Sequence, residues 1–188
     1  MRTIPGMTVI CPCDANETRE AVKAMIDYEG PCYLRLGRSG VECITDEIPG
    51  YKFELGKGIQ LADGKDVTII ATGLMVQEAV KAAEILKGEG ISARVIDLHT
   101  IKPIDRDIIV KAAKETGAIV TTEEHNVIGG LGAAVSEVVG ETCPVPVVKH
   151  GVEDVFGHSG TAEALMVKYG LTPEKIAAKA KEAIALKK

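Results

Sequence analysis

The alternation of short β-branched runs with helical patterns constrains this chain more than any single motif. The runs lie at residues 67–71, 93–98, 118–122 and 145–148. Between them the apolar residues change to a helical period. In 75–87, Val76, Ala79, Val80, Ala83 and Leu86 share one face. Asp105 has the character of an N-cap for the next helix and Gly117 that of its left-handed stop. Thr172-Pro173 opens a terminal helix with proline at its first position, running to about residue 186. Strands that alternate with helices predict a three-layer α/β sandwich with a mostly parallel sheet. Asp63-Gly64 between the runs at 58–61 and 67–71 reads as a hairpin turn, which predicts one antiparallel edge strand. Aromatic residues are only 3% and Trp is absent, so Val, Ile, Leu and Ala must fill the core, as they do around buried parallel strands.

A shorter unit precedes this pattern. Residues 8–11 form an apolar run closed by Pro12, and Asp14 with Glu17 has capping-box spacing. Ala21, Val22, Met25 and Ile26 make a helical stripe that stops at Gly30-Pro31, and CYLRL at 32–36 reads as a second strand. Two strands and a helix are marginal alone, so residues 1–39 are expected to be poorly held or paired with another copy. Residues 41–57, with Pro49, Gly50 and Gly56, lack a period and read as a linker. The expected organisation is thus a partial β-α-β unit at 1–40, a linker at 41–57 and the sandwich at 58–188.

Net charge is −5 with no basic block, which disfavours nucleic acid or an anionic membrane as partner. No run approaches the roughly 18 apolar residues of a membrane span. The five cysteines form no CxxC pair, and reduced thiols suit the cytoplasm.

Four groups of residues are candidates for chemistry. Gly129, Gly130 and Gly132 precede a helix and could cradle an anion, or simply turn the chain. Glu123, Glu124 and His125 could do acid-base work, or hold an interface. His99, His150 and His158 lie in separate loops without metal-site spacing. Arg35 and Arg38 lie in and just beyond a strand end, where α/β sheets gather ligands, and arginine suits bidentate recognition of phosphate. A structural ion pair would explain them equally well.

Several stretches in their order resemble the carboxyl-terminal section of a transketolase: RTIPGMTVICPCDANETREAV, CYLRLGR, ARVIDLHTIKPID, TTEEHNVIGGLGAAVSEVV, the GHSG loop and KYGLTPEKIAAKA. The resemblance implies the end of a thiamine pyrimidine-binding domain followed by the C-terminal domain. It implies transfer of a two-carbon ketol unit between sugar phosphates in the pentose phosphate pathway, with thiamine diphosphate and a divalent cation (Mg or Ca) in the complete enzyme. On this resemblance Arg38 binds the substrate phosphate. Glu123, Glu124 and His125 become structural or interface residues, and no catalytic, cofactor-binding or metal-binding residue is expected in this stretch. It further implies that Met1 corresponds to an internal position of a longer protein and the chain to a fragment. Alone it would be inactive and would bind no cofactor. Its partners would be an amino-terminal part carrying the thiamine-binding domains, sugar phosphates and further copies in a dimer. The last domain also resembles that of the β subunit of 2-oxo acid dehydrogenases and of deoxyxylulose-phosphate synthase, and the DLHTIKPID run alone would fit the dehydrogenase β subunit. A non-catalytic dimerisation or regulatory module is the alternative of another class.

Overall fold

The computed structural model describes residues 1–187. Lys188, the last residue of the third expected segment, lies outside them. Two sheets are present. The smaller contains β1 (Thr8–Ile10), β2 (Cys32–Leu34) and β6 (Thr100–Lys102) in the order β2-β1-β6, with α1 (Ala15–Ile26) crossing between the parallel β1 and β2. The larger holds β3 (Ile59–Ala62), β4 (Val67–Ala71), β5 (Ala93–Asp97), β7 (Ile119–Asn126) and β8 (Val147–Val152), in the order β3-β5-β4-β7-β8.

Around the larger sheet lie α2 (Met75–Gly88), α3 (Arg106–Thr116), α4 (Leu131–Thr142), the short α5 (Ala162–Lys168) and α6 (Pro173–Ala185). Side chains of a strand alternate between faces. Accordingly Val67, Ile69 and Ala71 of β4 pack against Met75, Val76, Ala79 and Leu86 of α2 and Ile176, Ala177 and Ala180 of α6. Ile70 faces the other way, against Ile109 and Ala112 of α3 and Leu131, Val135 and Val138 of α4. The three-layer sandwich follows.

The caps agree with the sequence. Asp105 accepts from the Ile108 amide at 3.2 Å, and Gly117 ends α3 at φ 69°. Asp14 caps α1 by accepting from the Glu17 amide at 2.8 Å.

Two expectations need correction. Asp63-Gly64 is no hairpin turn: β3 is the antiparallel edge strand, but it pairs with β5, not with β4. The chain passes over the start of β5 instead, so closely that a Cβ on Gly64 would lie 2.2 Å from the Ala93 carbonyl carbon. That crossing carries β4 to the far side of β5, where both its edges pair in parallel with β5 and β7. Residues 100–102, beyond the strand-like run at 93–98, form β6, antiparallel to β1.

The first unit is therefore not free-standing. It is tied to the sandwich through β6, and its Val9 and Cys11 share a small apolar cluster with Ile101 and with Ala134 of α4. Arg2 pairs with Glu137 at 2.6 Å and donates to the Gly129 carbonyl at 3.1 Å. Residues 41–57 form a strap pinned along its length: Thr45 to Asp14, Tyr51 to Glu17, Gly56 to Thr100 and the Glu42 carbonyl to Gln77.

Ile69 is wholly buried at the centre of the sheet, whereas Ile26 on α1 is 78% exposed. Ile69→Ala is expected to cost about 2–5 kcal/mol in urea unfolding, and Ile26→Ala about 0.5 kcal/mol or less.

Candidate functional site

The carboxyl ends of β1, β4 and β5 meet, and their backbones are joined there. The Cys11 amide donates to the His99 carbonyl at 2.7 Å, and the Cys11 carbonyl accepts from the Gly73 amide and the Thr72 hydroxyl, each at 3.1 Å. Gly73 has φ +59°, and a Cβ there would come within 2.8 Å of Cys11 Sγ, so the approach needs glycine.

Directly beyond this junction lies a buried acidic cluster. Asp14, besides capping α1, accepts from the amide and the hydroxyl of Thr45, each at 2.8 Å. Glu17 departs from the expected capping box: its Oε2 reaches past the cap to the Cys13 amide at 2.7 Å, and its Oε1 accepts from the Tyr51 hydroxyl at 2.8 Å. Asp97, the last residue of β5, is fully buried, and neither of its carboxyl oxygens has a hydrogen-bond partner at ordinary geometry. Donor atoms of Cys13, Glu17 and Asp97 all lie within 4.8 Å of one another. Burial raises the carboxyl of Asp97 well above its ordinary range, and Glu17 adds to this as a nearby like charge. Glu17 is raised by burial as well, against the donors it accepts from. The Cys13 thiol is pushed up by burial and by the surrounding carboxyls, so it stays protonated.

A thiol with two carboxyls is a donor set that a divalent ion can use. Both Glu17 oxygens, however, are already engaged by Cys13 and Tyr51.

Two residues further along, His99 is buried and stacks on Phe53 with ring centroids 4.2 Å apart. Its Nδ1 lies 2.8 Å from the Thr100 hydroxyl, and burial lowers its pKa to about 4.

The other sequence candidates are dispersed. Glu123 is buried, and its carboxylate accepts from the amides of Leu131 at 2.7 Å and Gly132 at 2.8 Å. It thus fills the glycine-rich helix entry that an external anion would need, and a Cβ on Gly130 would lie 2.0 Å from Glu123 Oε2. Glu124 offers its backbone carbonyl to Arg35 Nη2 at 2.6 Å, and Arg35 Nη1 lies 3.8 Å from Cys11 Sγ. Arg35 is therefore a tie between the two sheets. His125 is half-exposed, its Nδ1 2.8 Å from the Asn126 carbonyl. His150 sits between the Thr122 hydroxyl and the Gly170 carbonyl, and His158 beside Tyr169. The histidines do not converge. Arg38 lies exposed in the turn after β2, with no hydrogen-bond partner among the described residues.

The acidic cluster was legible only in part. Glu17 was visible as a capping residue, but its meeting with Asp97 spans 80 positions. The available signal was a carboxylate closing the strand-like run ARVID.

Two family profiles match this chain. Residues 1–42 match the one described as Transketolase, pyrimidine binding domain, and residues 56–176 the one described as Transketolase, C-terminal domain. The chain belongs to the transketolase family. It corresponds to the carboxyl-terminal section of such enzymes. The 6-deoxy-6-sulfo-D-fructose transketolase subunit SqwH of Clostridium sp. (strain MSTE9) is 47% identical over 182 residues, which span 97% of this chain and 56% of that protein. One of the subunits of the apulose-4-phosphate transketolase of Phocaeicola vulgatus is 46% identical over 176 residues, spanning 94% of this chain and 56% of that protein. A solved split-gene transketolase, an inactive beta4 tetramer, superposes with a TM-score of 0.96 at 53% identity, covering 100% of this chain and 61% of that one. The chain thus spans about half the length of the curated relatives it matches.

Thiamine diphosphate fits the family. In this chain Glu123 fills the glycine-rich helix entry, the feature that suits a diphosphate, and the carboxyls of Glu17 and Asp97 are buried.

Glu123→Gln should cost about 1–3 kcal/mol in urea unfolding, because one of the two buried amides loses its acceptor. His99 binds a proton less readily folded than unfolded, where its pKa is about 6.5. Its contribution is complete above that value and is lost as pH falls towards about 4. The loss amounts to about 3 kcal/mol, and the urea midpoint of His99→Gln should fall less than that of the wild type between pH 7 and 4.5.

Proposed function

We propose that this chain is the substrate-gripping, carboxyl-terminal half of a transketolase. It would work with an amino-terminal part that carries the thiamine-binding domains, on the same polypeptide or a separate one. The reaction proposed is transfer of a two-carbon ketol unit between sugar phosphates, with thiamine diphosphate and its divalent cation held by the partner. The observation that carries this reading is the open side of the smaller sheet. β2 is paired on one edge only, and Val22, Ile26, Tyr28, Tyr33 and Leu36 expose apolar surface around it. A free strand edge beside apolar side chains suits further strands of a completed domain. Five unpaired cysteines suit a reducing, cytoplasmic setting.

Arg38 stands just past this edge, and its guanidinium is free to meet a ligand. Our reading assigns it the anionic end of the sugar. The two relatives are named for a sulfonated and a phosphorylated sugar, and a planar guanidinium suits either anion. Binding at this distal group would hold the reacting carbonyl in place. Arg35, anchored on Glu124 and Cys11, supports the strand end from which Arg38 projects.

The test is an assay of the complex reconstituted with its amino-terminal part. Ketol transfer should appear in the complex and not in either part alone, and no transfer in a stable complex would overturn the reading. Arg38→Ala should lower kcat/KM for phosphorylated sugars roughly ten- to a hundredfold, about 1.5–3 kcal/mol, and leave unphosphorylated substrates nearly unchanged. Equal losses on both would remove Arg38 from the phosphate site.

A further inference from the structure

The buried carboxyls where the two sheets meet do something that neither catalysis nor substrate binding requires. Three acids and a thiol converge there from different elements: Cys13 and Asp14 from the β1–α1 turn, Glu17 from α1 and Asp97 from β5, with Tyr51 of the strap closing over them. Their hydrogen bonds distinguish them. Asp14 accepts from one amide and from both donors of Thr45, and Glu17 accepts from the Cys13 amide and the Tyr51 hydroxyl. Both are served as carboxylates. Asp97 accepts from no amide or hydroxyl, with only the Cys13 thiol close by as a weak donor, and its two oxygens are sealed from water.

A second carboxylate there would face Glu17 and Asp14 without a compensating cation. Arg35, the guanidinium at this junction, is directed at Cys11 Sγ and the Glu124 carbonyl. An unpaired buried charge beside like charges is strongly unfavourable, and the ordinary remedy is to keep a proton.

We propose that Glu17 and Asp97 hold one proton between them, and that this proton latches the first β-α-β unit and its strap onto the larger sheet. With the proton present, Asp97 is a neutral acid with an oxygen within 4.8 Å of the Glu17 carboxylate. Glu17 in turn fixes Cys13 at the end of β1 and Tyr51 in the strap. When the proton is lost, two charges share a dry site, and the favourable response is to part the surfaces and admit water. The latch is thus an alkaline-release device. It sets how firmly residues 8–53, and the turn carrying Arg38, are held on the sandwich. It rests on the contacts between the sheets and is independent of the substrate assigned to Arg38.

The sign follows from proton counting. The closed state keeps a proton that the opened state releases above the ordinary carboxylate range, so opening grows as pH rises. For one proton, the opening constant increases about tenfold per pH unit until the closed pair itself ionises.

Hydrogen exchange read by mass spectrometry on the full chain between pH 6 and 9, corrected for the base-catalysed intrinsic rate, tests this. Peptides within 8–53 should show opening that rises towards tenfold per pH unit, while peptides from α4 show none. Asp97→Asn keeps a neutral, hydrogen-bonding group at the site and should abolish the slope. Wild-type opening in 8–53 that is flat with pH, or an unchanged slope in Asp97→Asn, would overturn the latch. So would one equivalent of a divalent metal per chain in the purified protein, since a cation on Cys13, Glu17 and Asp97 would replace the proton. Should Asp97→Asn fail to fold, carboxyl-carbon NMR of the wild type decides: one of the pair should remain protonated at pH 7, and two ionised carboxyls would refute the proposal.

Discussion

Burial of β4 is the constraint on which the rest of the molecule depends. Its five residues have both edges paired in parallel and both faces covered, by α2 and α6 on one side and by α3 and α4 on the other. A strand in that position can use only apolar or internally satisfied side chains. Thr68, its polar member, meets Thr116 at 2.8 Å. The carboxyl end of such a strand is where backbone groups are released from the sheet, and here Thr72 and Gly73 give theirs to Cys11. The central strand of the larger sheet therefore also fixes where the smaller one docks.

That docking explains why so much polarity is buried at one place. The first unit is too small to cover its own strands, so it takes cover from α4 and from the residues that follow β5. The cost is that the N-terminus of α1 and the end of β5 are driven together with their carboxyls. Asp14 and Glu17 answer by capping and by recruiting the strap, whereas Asp97 has no amide or hydroxyl to turn to. The same fold that leaves β2 with one edge unpaired among the described residues closes over an acid with no counter-charge where the two sheets meet.

Little of the site was readable from residue types, and the reasons are instructive. The anion cradle suggested by Gly129, Gly130 and Gly132 has the right helix entry, but its occupant comes from the strand eight residues earlier, where Glu123 turns back onto the exposed amides. Arg35 and Arg38 look alike in sequence. Only the reach of Arg35, just past β2, to the Glu124 carbonyl of β7 makes the first a tie, and it leaves the second free. Asp63-Gly64 carries the chemistry of a hairpin turn, yet a glycine that suits a tight turn equally suits a close backbone crossing.

The sequence by itself determined the alternation of strands and helices, the caps at Asp14, Asp105 and Gly117, the three-layer sandwich and the family. All of these rest on local periodicity or on residues close in the chain. Tertiary structure alone decided the partner of β3, the recruitment of residues 100–102 into the smaller sheet, and the meeting of Glu17 with Asp97. Those depend on which surfaces remain to be covered once the sheet has formed, and on which carboxyls are left without donors when they are covered. No stretch of local sequence encodes that remainder.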